Sequence, residues 1–519
     1  MLFVFFHIRT EHFLTNNEMM NRFVIRLFTL VLIFLFTSVS AWTHPSIIDV
    51  NVDSVIRVTN KTDFIKNSKG NTTYIICETI DLKNGKCVVP SNSTLFFMGG
   101  SIKNGKLVLD HTLLHGNVRL TSIALSGTCE NDELFLNWFN DEITSDYSKN
   151  LQALHDIAKV QSIIKLGATK YLINNPVKIT KAITISGNST RSYKDLGEEL
   201  YGSTLYTTMD NNILIVSSRL VVLDGVNFIG NASDFGAKGV RVGTKSLVKF
   251  SWTSSCKVID CNFLKSHIGL ELFHSGISTI ENNNFALCNV GIVANHSGDC
   301  HYINNYINTC DCKGKIEIKD ENVTDLNGVG ILFKSGSGNS NIIGGKIEWN
   351  NKGIVNYGST GITILGVQFD YNKSGHIFYY QDVMQHDSGF NANSIVGCRF
   401  LGTPGDQHIY IRYMTETRMN VTGNFFTCSG RGAYDNNKDG AVGPNSIFSI
   451  YERHLDDKYK NTCSISFGSN SYFNMSKLCQ AKPQVNTTNN KDLIKIISSD
   501  CNLPVVGYMT VAVSVVTGK

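Results

Sequence analysis

Between Asn341 and Phe400 one pattern of apolar and polar positions occurs three times. Ile342-Ile343-Gly344-Gly345-Lys346-Ile347-Glu348 is followed by Ile364-Leu365-Gly366-Val367-Gln368-Phe369-Asp370, and then by Ile395-Val396-Gly397-Cys398-Arg399-Phe400. Short apolar–polar alternations broken by glycine read as strands joined by tight turns. Ile347 and Phe369 stand 369 − 347 = 22 residues apart. A β-rich unit punctuated by Gly and Asn and repeating near this length predicts a solenoid, in which each coil buries its apolar face against its neighbours.

From residue 221 an aromatic or aliphatic anchor marks each unit: Phe228, Phe263, Phe285, Ile307, Ile347, Phe369, Phe400, Phe426 and Tyr472. The intervals are 35, 22, 22, 40, 22, 31, 26 and 46 residues, so bare coils alternate with coils carrying loops. The 40- and 46-residue steps leave room for a hidden extra coil. Three residues after the anchor come Cys288, Cys310, Asn350 and Asn372. Asn350 and Asn372 are expected to stack as a turn ladder whose amides satisfy turn backbone. Cys288 and Cys310 should stack as buried thiols, with a disulfide as the alternative.

Successive strand side chains point to opposite faces. With the anchors inward, the residues before them form an outward column: Asn227, Asn262, Asn284, Tyr306, Lys346, Gln368, Arg399 and Phe425. The residues after them form a second, in which Glu348 and Asp370 become neighbours. Gly375-His376-Ile377-Phe378 and Gln407-His408-Ile409-Tyr410 read as equivalent strands, which stacks His376 on His408 with Arg412 and Tyr413 close by. The polar loop Gln381 to Phe390 lies between them, with Asp382, His386 and Asp387.

Upstream, residues 46–135 read as short strands, and Leu151, Leu154, Ile157 and Ala158 recur at helical spacing. Pro90 to Gly105 (Pro-x-Asn-x-Thr-Leu-x-Phe-x-Gly-Gly-Ser-Ile-x-Asn-Gly) resembles the opening region of secreted bacterial right-handed parallel β-helix proteins of the pectin-lyase-like (pectate lyase) superfamily. Trp138-Phe139, the acidic stretch from Asp141 to Asp146, Leu151-Gln152-Ala153-Leu154 and Lys170-Tyr171-Leu172-Ile173 resemble the segments that follow in such proteins. The acidic motif here lacks its glycines. The resemblance implies an all-β, single-stranded right-handed parallel β-helix with an N-terminal β cap and a short capping helix. It also implies carbohydrate chemistry, but it carries no active site: Asn-Thr-Asp, Gly-His-Gly and the Arg-rich lyase motif are all missing.

A leader precedes this fold. Arg22 and Arg26, the apolar run Leu27 to Phe36, and Val39 and Ala41 at the −3 and −1 positions form an export signal. The run is shorter than the roughly 20 residues a membrane span needs. The expected division is a signal peptide over 1–41, a β-rich cap over 42–145, the β-helix over 146–475 and a less regular C-terminal segment over 476–519. No membrane span is expected in the mature chain, and the location is secreted, periplasmic or cell-surface. The formal net charge is only +4 across 519 residues, which argues against a dedicated nucleic-acid binder. Gly is frequent (44) and Pro scarce (7), in keeping with many tight turns.

The candidate chemistry follows from the outward columns. Glu348 and Asp370 form a carboxylate pair suited to acid and base, or acid and nucleophile, in glycoside hydrolysis. Two like charges so close would raise one pKa. Lys346 and Arg399 would bind an acidic sugar or, in a lyase, abstract a proton, and His376 and His408 are candidate proton shuttles. Gln368, Phe425, Tyr379, Tyr410 and Arg412 are the candidate substrate contacts. No metal is required, with calcium between Glu348 and Asp370 as the alternative. The resulting expectation is an exported protein acting on a polysaccharide, a glycoside hydrolase ahead of a lyase. A non-catalytic glycan-binding or adhesive solenoid is the alternative, and a wet strand face with cross-strand ion pairs is the plain structural explanation.

Overall fold

The computed structural model describes residues 54–515 apart from 64–68, 140–144, 190–200, 232–244, 311–327, 381–392, 403–406, 413–417, 428–445, 453–461, 474, 476, 484–492, 499–504 and 507–511. The expected leader, most of the acidic stretch from Asp141 and the loop from Gln381 to Phe390 therefore lie outside the described residues.

Three long parallel sheets wrap one interior, and the chain forms a right-handed parallel β-helix. Sheet A has 14 strands, from Glu133–Phe135 to Ala512–Val515. Sheet B has 11, from Lys170–Leu172 to Ser471–Phe473, and sheet C has 12, from Val177–Ile179 to Val505–Val506. Each coil visits A, B and C in turn. Most strands of A and B are three residues long, with the central side chain buried. Strands that short alternate only once, so a single apolar residue per strand suffices to specify the inward side.

All nine anchors fall in one register, from Phe228 to Tyr472. Aromatic anchors stack ring on ring: Phe263 on Phe285 with centroids 4.7 Å apart, Phe369 on Phe400 at 4.9 Å and Phe400 on Phe426 at 4.6 Å. Each stack contributes about 1 kcal/mol beyond simple burial. Ile307 pairs directly with Ile347, and Phe426 with Tyr472. The long steps are thus single coils with inserted segments, and neither hides an extra coil.

The turn between sheets B and C carries the expected amide ladder. Asn350 Nδ2 donates to Asn372 Oδ1 (3.0 Å), the Asn350 backbone N–H donates to the same oxygen (3.1 Å), and Asn372 Nδ2 donates to the Ile347 carbonyl (3.0 Å). A second ladder occupies the A–B turn, where Asn283 donates to Asn305 and Asn424 to Asn470. Buried turn backbone is satisfied in this way without water. Cys288 and Cys310 are buried in the B–C turn, where Cys288 Sγ lies 3.3 Å from Ser266 Oγ.

The N-terminal cap has a parallel, six-stranded sheet of its own: Thr73 pairs with Thr94 and Thr94 with Leu113, while Ile80, Ile102 and Leu120 align in register. The helix Ser148–Ile157 buries Leu151, Leu154 and Ile157. Gln152 Oε1 accepts from the Lys178 N–H (2.8 Å) and His155 Nε2 from the Thr180 N–H (2.9 Å), so the helix covers the first edge of sheet C. At the other end Lys477–Pro483 and Val505–Val506 extend sheet C, and Leu493–Ser498 and Ala512–Val515 extend sheet A. Strands of sheets A and C therefore continue past residue 475.

Candidate active site

The outer face of sheet B changes character along the axis. At its N-terminal end the first column is a chain of buried amides (Asn227, Asn262 and Asn284), in which Asn262 Nδ2 donates to Asn227 Oδ1 (2.8 Å), and Asn308 Nδ2 of the second column donates back to Asn284 Oδ1 (3.2 Å). Tyr306 ends this chain. Its register partner is Lys346, followed by Gln368, Arg399 and Phe425, while Asn308, Glu348 and Asp370 align in the second column.

Lys346, Glu348 and Asp370 form one cluster. Lys346 Nζ lies 2.5 Å from Glu348 Oε2 and 3.7 Å from Asp370 Oδ2. The two carboxylate oxygens are therefore at most 2.5 + 3.7 = 6.2 Å apart. The Tyr306 hydroxyl donates to Glu348 Oε1, so both Glu348 oxygens are engaged. Glu348 is 4% exposed and Asp370 8%. Asp370 Oδ1 is buried and finds no hydrogen-bond partner among the described residues. Burial pushes the Asp370 carboxyl above its ordinary value; Lys346 opposes the shift and Glu348 reinforces it. Desolvation, more than like-charge repulsion, is the main cause. The place a calcium ion would take between the carboxylates is held by the Lys346 ammonium. Among the described residues no group of three or more His, Cys, Asp or Glu side chains is placed to hold a metal.

Along the same column Gln368 is half-buried, Arg399 exposed and Phe425 37% exposed. Two further residues extend the cluster. Trp349 and Tyr371 directly follow Glu348 and Asp370, and their rings lie 5.0 Å apart at 36°. Both adopt left-handed backbone (φ 58° and 46°), as do Lys265, Leu287 and Thr309 at the same turn position. The sequence reading missed this pair because it stopped at the strand. Carrying the column alignment one residue further places an aromatic after each acid.

Three candidates are corrected. His376, His408 and Tyr379 point into the solenoid and are buried. The first strand residues of sheet C break strict alternation: Gly353, aligned with His376, and Gly269 both face inward, and a Cβ on Gly269 would stand 3.0 Å from the Phe285 ring. His376 fills the corresponding space beside Phe369 and Phe400. Its Nε2 donates to the Leu401 carbonyl (2.7 Å) and its Nδ1 accepts from Asn372 Nδ2 (2.9 Å). His376 and His408 do stack, at 5.2 Å and 10°, but inside the solenoid and fully buried. Burial lowers the His376 pKa to about 4 and pushes His408 down as well. Tyr410 lies on the outer face of sheet C against Phe378 and Tyr380, at 5.4 and 5.6 Å, a different face from the carboxylate cluster. Arg412 lies in a strand of sheet C, but its side chain is outside the described residues.

No family model and no curated protein matches the sequence. Solved structures do match in fold. The A-module of the mannuronan C-5 epimerase AlgE4 of Azotobacter vinelandii aligns with a TM-score of 0.53 at 11% identity, over 73% of this chain and 99% of its own. DFA-IIIase of Arthrobacter chlorophenolicus A6, in complex with GF2, aligns with a TM-score of 0.48 at 11% identity, over 71% and 92%. The enzymatically active domain of tailspike protein 2 of bacteriophage CBA120 aligns with a TM-score of 0.42 at 16% identity, over 66% and 48%. At these identities the likeness is one of fold.

Proposed function

We propose that the protein is an exported, carbohydrate-active β-helix that cleaves a glycosidic bond in a polysaccharide at the sheet B cluster. One observation carries the reading: two neighbouring carboxyl groups sit in unlike environments. Asp370 has a raised pKa and an unengaged oxygen, whereas Glu348 accepts from both Tyr306 and Lys346. Environments that push paired carboxyls apart assign the acid and its partner. Asp370 then protonates the leaving glycosidic oxygen as the C–O bond breaks, and Glu348 attacks or stabilises the sugar carbon. Glu348 Oε2 and Asp370 Oδ2, the two oxygens that face Lys346, lie at most 6.2 Å apart, closer than the roughly 6.5–9.5 Å that seats a water between inverting carboxylates. Retention of configuration follows: the glycosyl ester on Glu348 is released when water attacks, with Asp370 taking that water's proton.

Trp349 and Tyr371 offer a stacking edge for a sugar ring, and Lys346, Gln368 and Arg399 offer donors along the chain direction. The fold shared with an epimerase module that acts on mannuronan supports the substrate class. Export rests on the leader pattern, and N-terminal sequencing of the mature protein beginning at Trp42 tests it.

The engagement of both Glu348 oxygens favours a second reading, in which the cluster is a structural ion network and the outer column binds glycan without cleaving it. Incubating the mature protein with neutral and acidic polysaccharides separates the two. New reducing ends without unsaturated uronates support hydrolysis, and unsaturated ends point to a lyase using Lys346 or Arg399. Binding without products supports the second reading.

A further inference from the structure

The turn between sheets C and A carries a separate aromatic column. Trp252 and His274 stack at 4.0 Å and 5°, and His274 and His296 at 4.8 Å and 19°. The three residues share left-handed backbone, and backbone N–H groups tie each turn to the next coil (Trp252 to Phe273, His274 to Asn295). The ring steps match the coil rise, so the ring planes lie across the solenoid axis. At the C-terminal end Gly336 lies against the His296 ring, close enough that a Cβ there would stand 2.9 Å from it. The N-terminal end is open. Two residues beyond the Val216–Phe250 register pair, Ser218 is the counterpart of Trp252 and presents no ring. Trp252 is 70% exposed, with Leu220 and Ile277 exposed on the same turn and Arg219 exposed beside Ser218.

Here the largest ring is the terminal one, with its outer face uncovered. We infer that Trp252, with Arg219 and Ser218, forms a glycan-binding subsite in which a pyranose ring stacks on the indole and occupies the missing rung of the ladder. The apolar face of the sugar lies on the indole, while its hydroxyl or carboxylate groups meet the Arg219 guanidinium. The ligand class rests on the proposed function above; the subsite itself does not use the sheet B cluster. It lies four coils toward the N-terminus, roughly 19 Å along the axis at ordinary strand spacing, and on a different turn. A second subsite at that distance would hold a long chain while its bonds are processed.

The test is affinity gel electrophoresis of the whole mature chain through neutral and acidic polysaccharides, with an oligo(dT) gel as the non-glycan aromatic-stacking probe. Wild type, Trp252→Ala, Trp252→Phe and Asp370→Asn are compared, with melting curves for each. The expected result is retardation of wild type by at least one polysaccharide and about tenfold weaker retention for Trp252→Ala, the scale of one lost aromatic stack. Trp252→Phe and Asp370→Asn retain most of the binding. Equal retention of wild type and Trp252→Ala overturns the subsite, as does the absence of any wild-type retention or a Trp252 dependence seen only with oligo(dT). Trp252-dependent retention without any cleavage leaves the subsite standing and removes the hydrolase reading. Cleavage lost in Asp370→Asn with retention indifferent to Trp252 does the reverse.

Discussion

Protonation of His376 should destabilise the fold, and the amount can be worked from its surroundings. The neutral ring is locked in one tautomer, with Nε2 donating to Leu401 and Nδ1 accepting from Asn372 Nδ2. A second proton would set an N–H at Nδ1 against the amide N–H of Asn372, inside a stack of Phe369, Phe400 and His408. The folded pKa is about 4 against 6.5 unfolded. Above pH 6.5 both states are neutral and nothing is lost. Between 6.5 and 4 the unfolded chain takes up a proton that the folded one refuses, so stability falls as pH falls. The full loss is about 3 kcal/mol, and about 2 kcal/mol of it accrues between pH 6.5 and 5, where most carboxylates are still charged. Urea unfolding of wild type and His376→Asn at these two pH values reads the effect, because the histidines other than the stacked His408 titrate alike in both. The wild type should lose about 2 kcal/mol more than the variant on acidification. Equal losses would refute the buried, neutral His376.

Other expectations are equally direct. Lys346→Met leaves Glu348 and Asp370 adjacent without their shared cation. It should cost about 2 kcal/mol in urea unfolding at pH 7, less than a fully buried pair because the lysine side chain keeps 34% exposure. Asn372→Ala removes the amide that serves Asn350, Ile347 and His376, and a loss of about 3 kcal/mol is expected by the same measurement. Phe285→Ala breaks the stack on Phe263 and opens a cavity next to Gly269; about 4 kcal/mol is expected, read as a fall in melting temperature.

How much of this was legible in the chain depended on whether period-two alternation held locally. In sheet B the strands are at most three residues long, and the residues flanking each anchor share a face, so Lys346 meets Glu348 and Asp370 there, although both acids are buried. In sheet C two consecutive residues turn inward at the strand start, so His376 and His408 stack as expected but on the wrong side of the wall. The 40- and 46-residue steps were ambiguous because interval length alone does not separate an insertion from an added coil; only the direct pairing of Ile307 with Ile347 and of Phe426 with Tyr472 does. A raised pKa on one of the two acids, without saying which, was expected from charge proximity, whereas at Asp370 burial dominates the rise. That burial arises from stacked coils and could not be read from one segment.

We propose that Asp370 and Glu348 act together on a glycosidic bond. The most direct measurement is the rate of reducing-end release from a polysaccharide that the wild-type protein degrades, compared with Asp370→Asn and Glu348→Gln after each is shown to melt like wild type. A loss of about a hundredfold or more is expected for either amide, the scale of a missing general acid or nucleophile, with no unsaturated ends among the products. Wild-type rates in both variants would contradict it and leave the cluster a structural ion network.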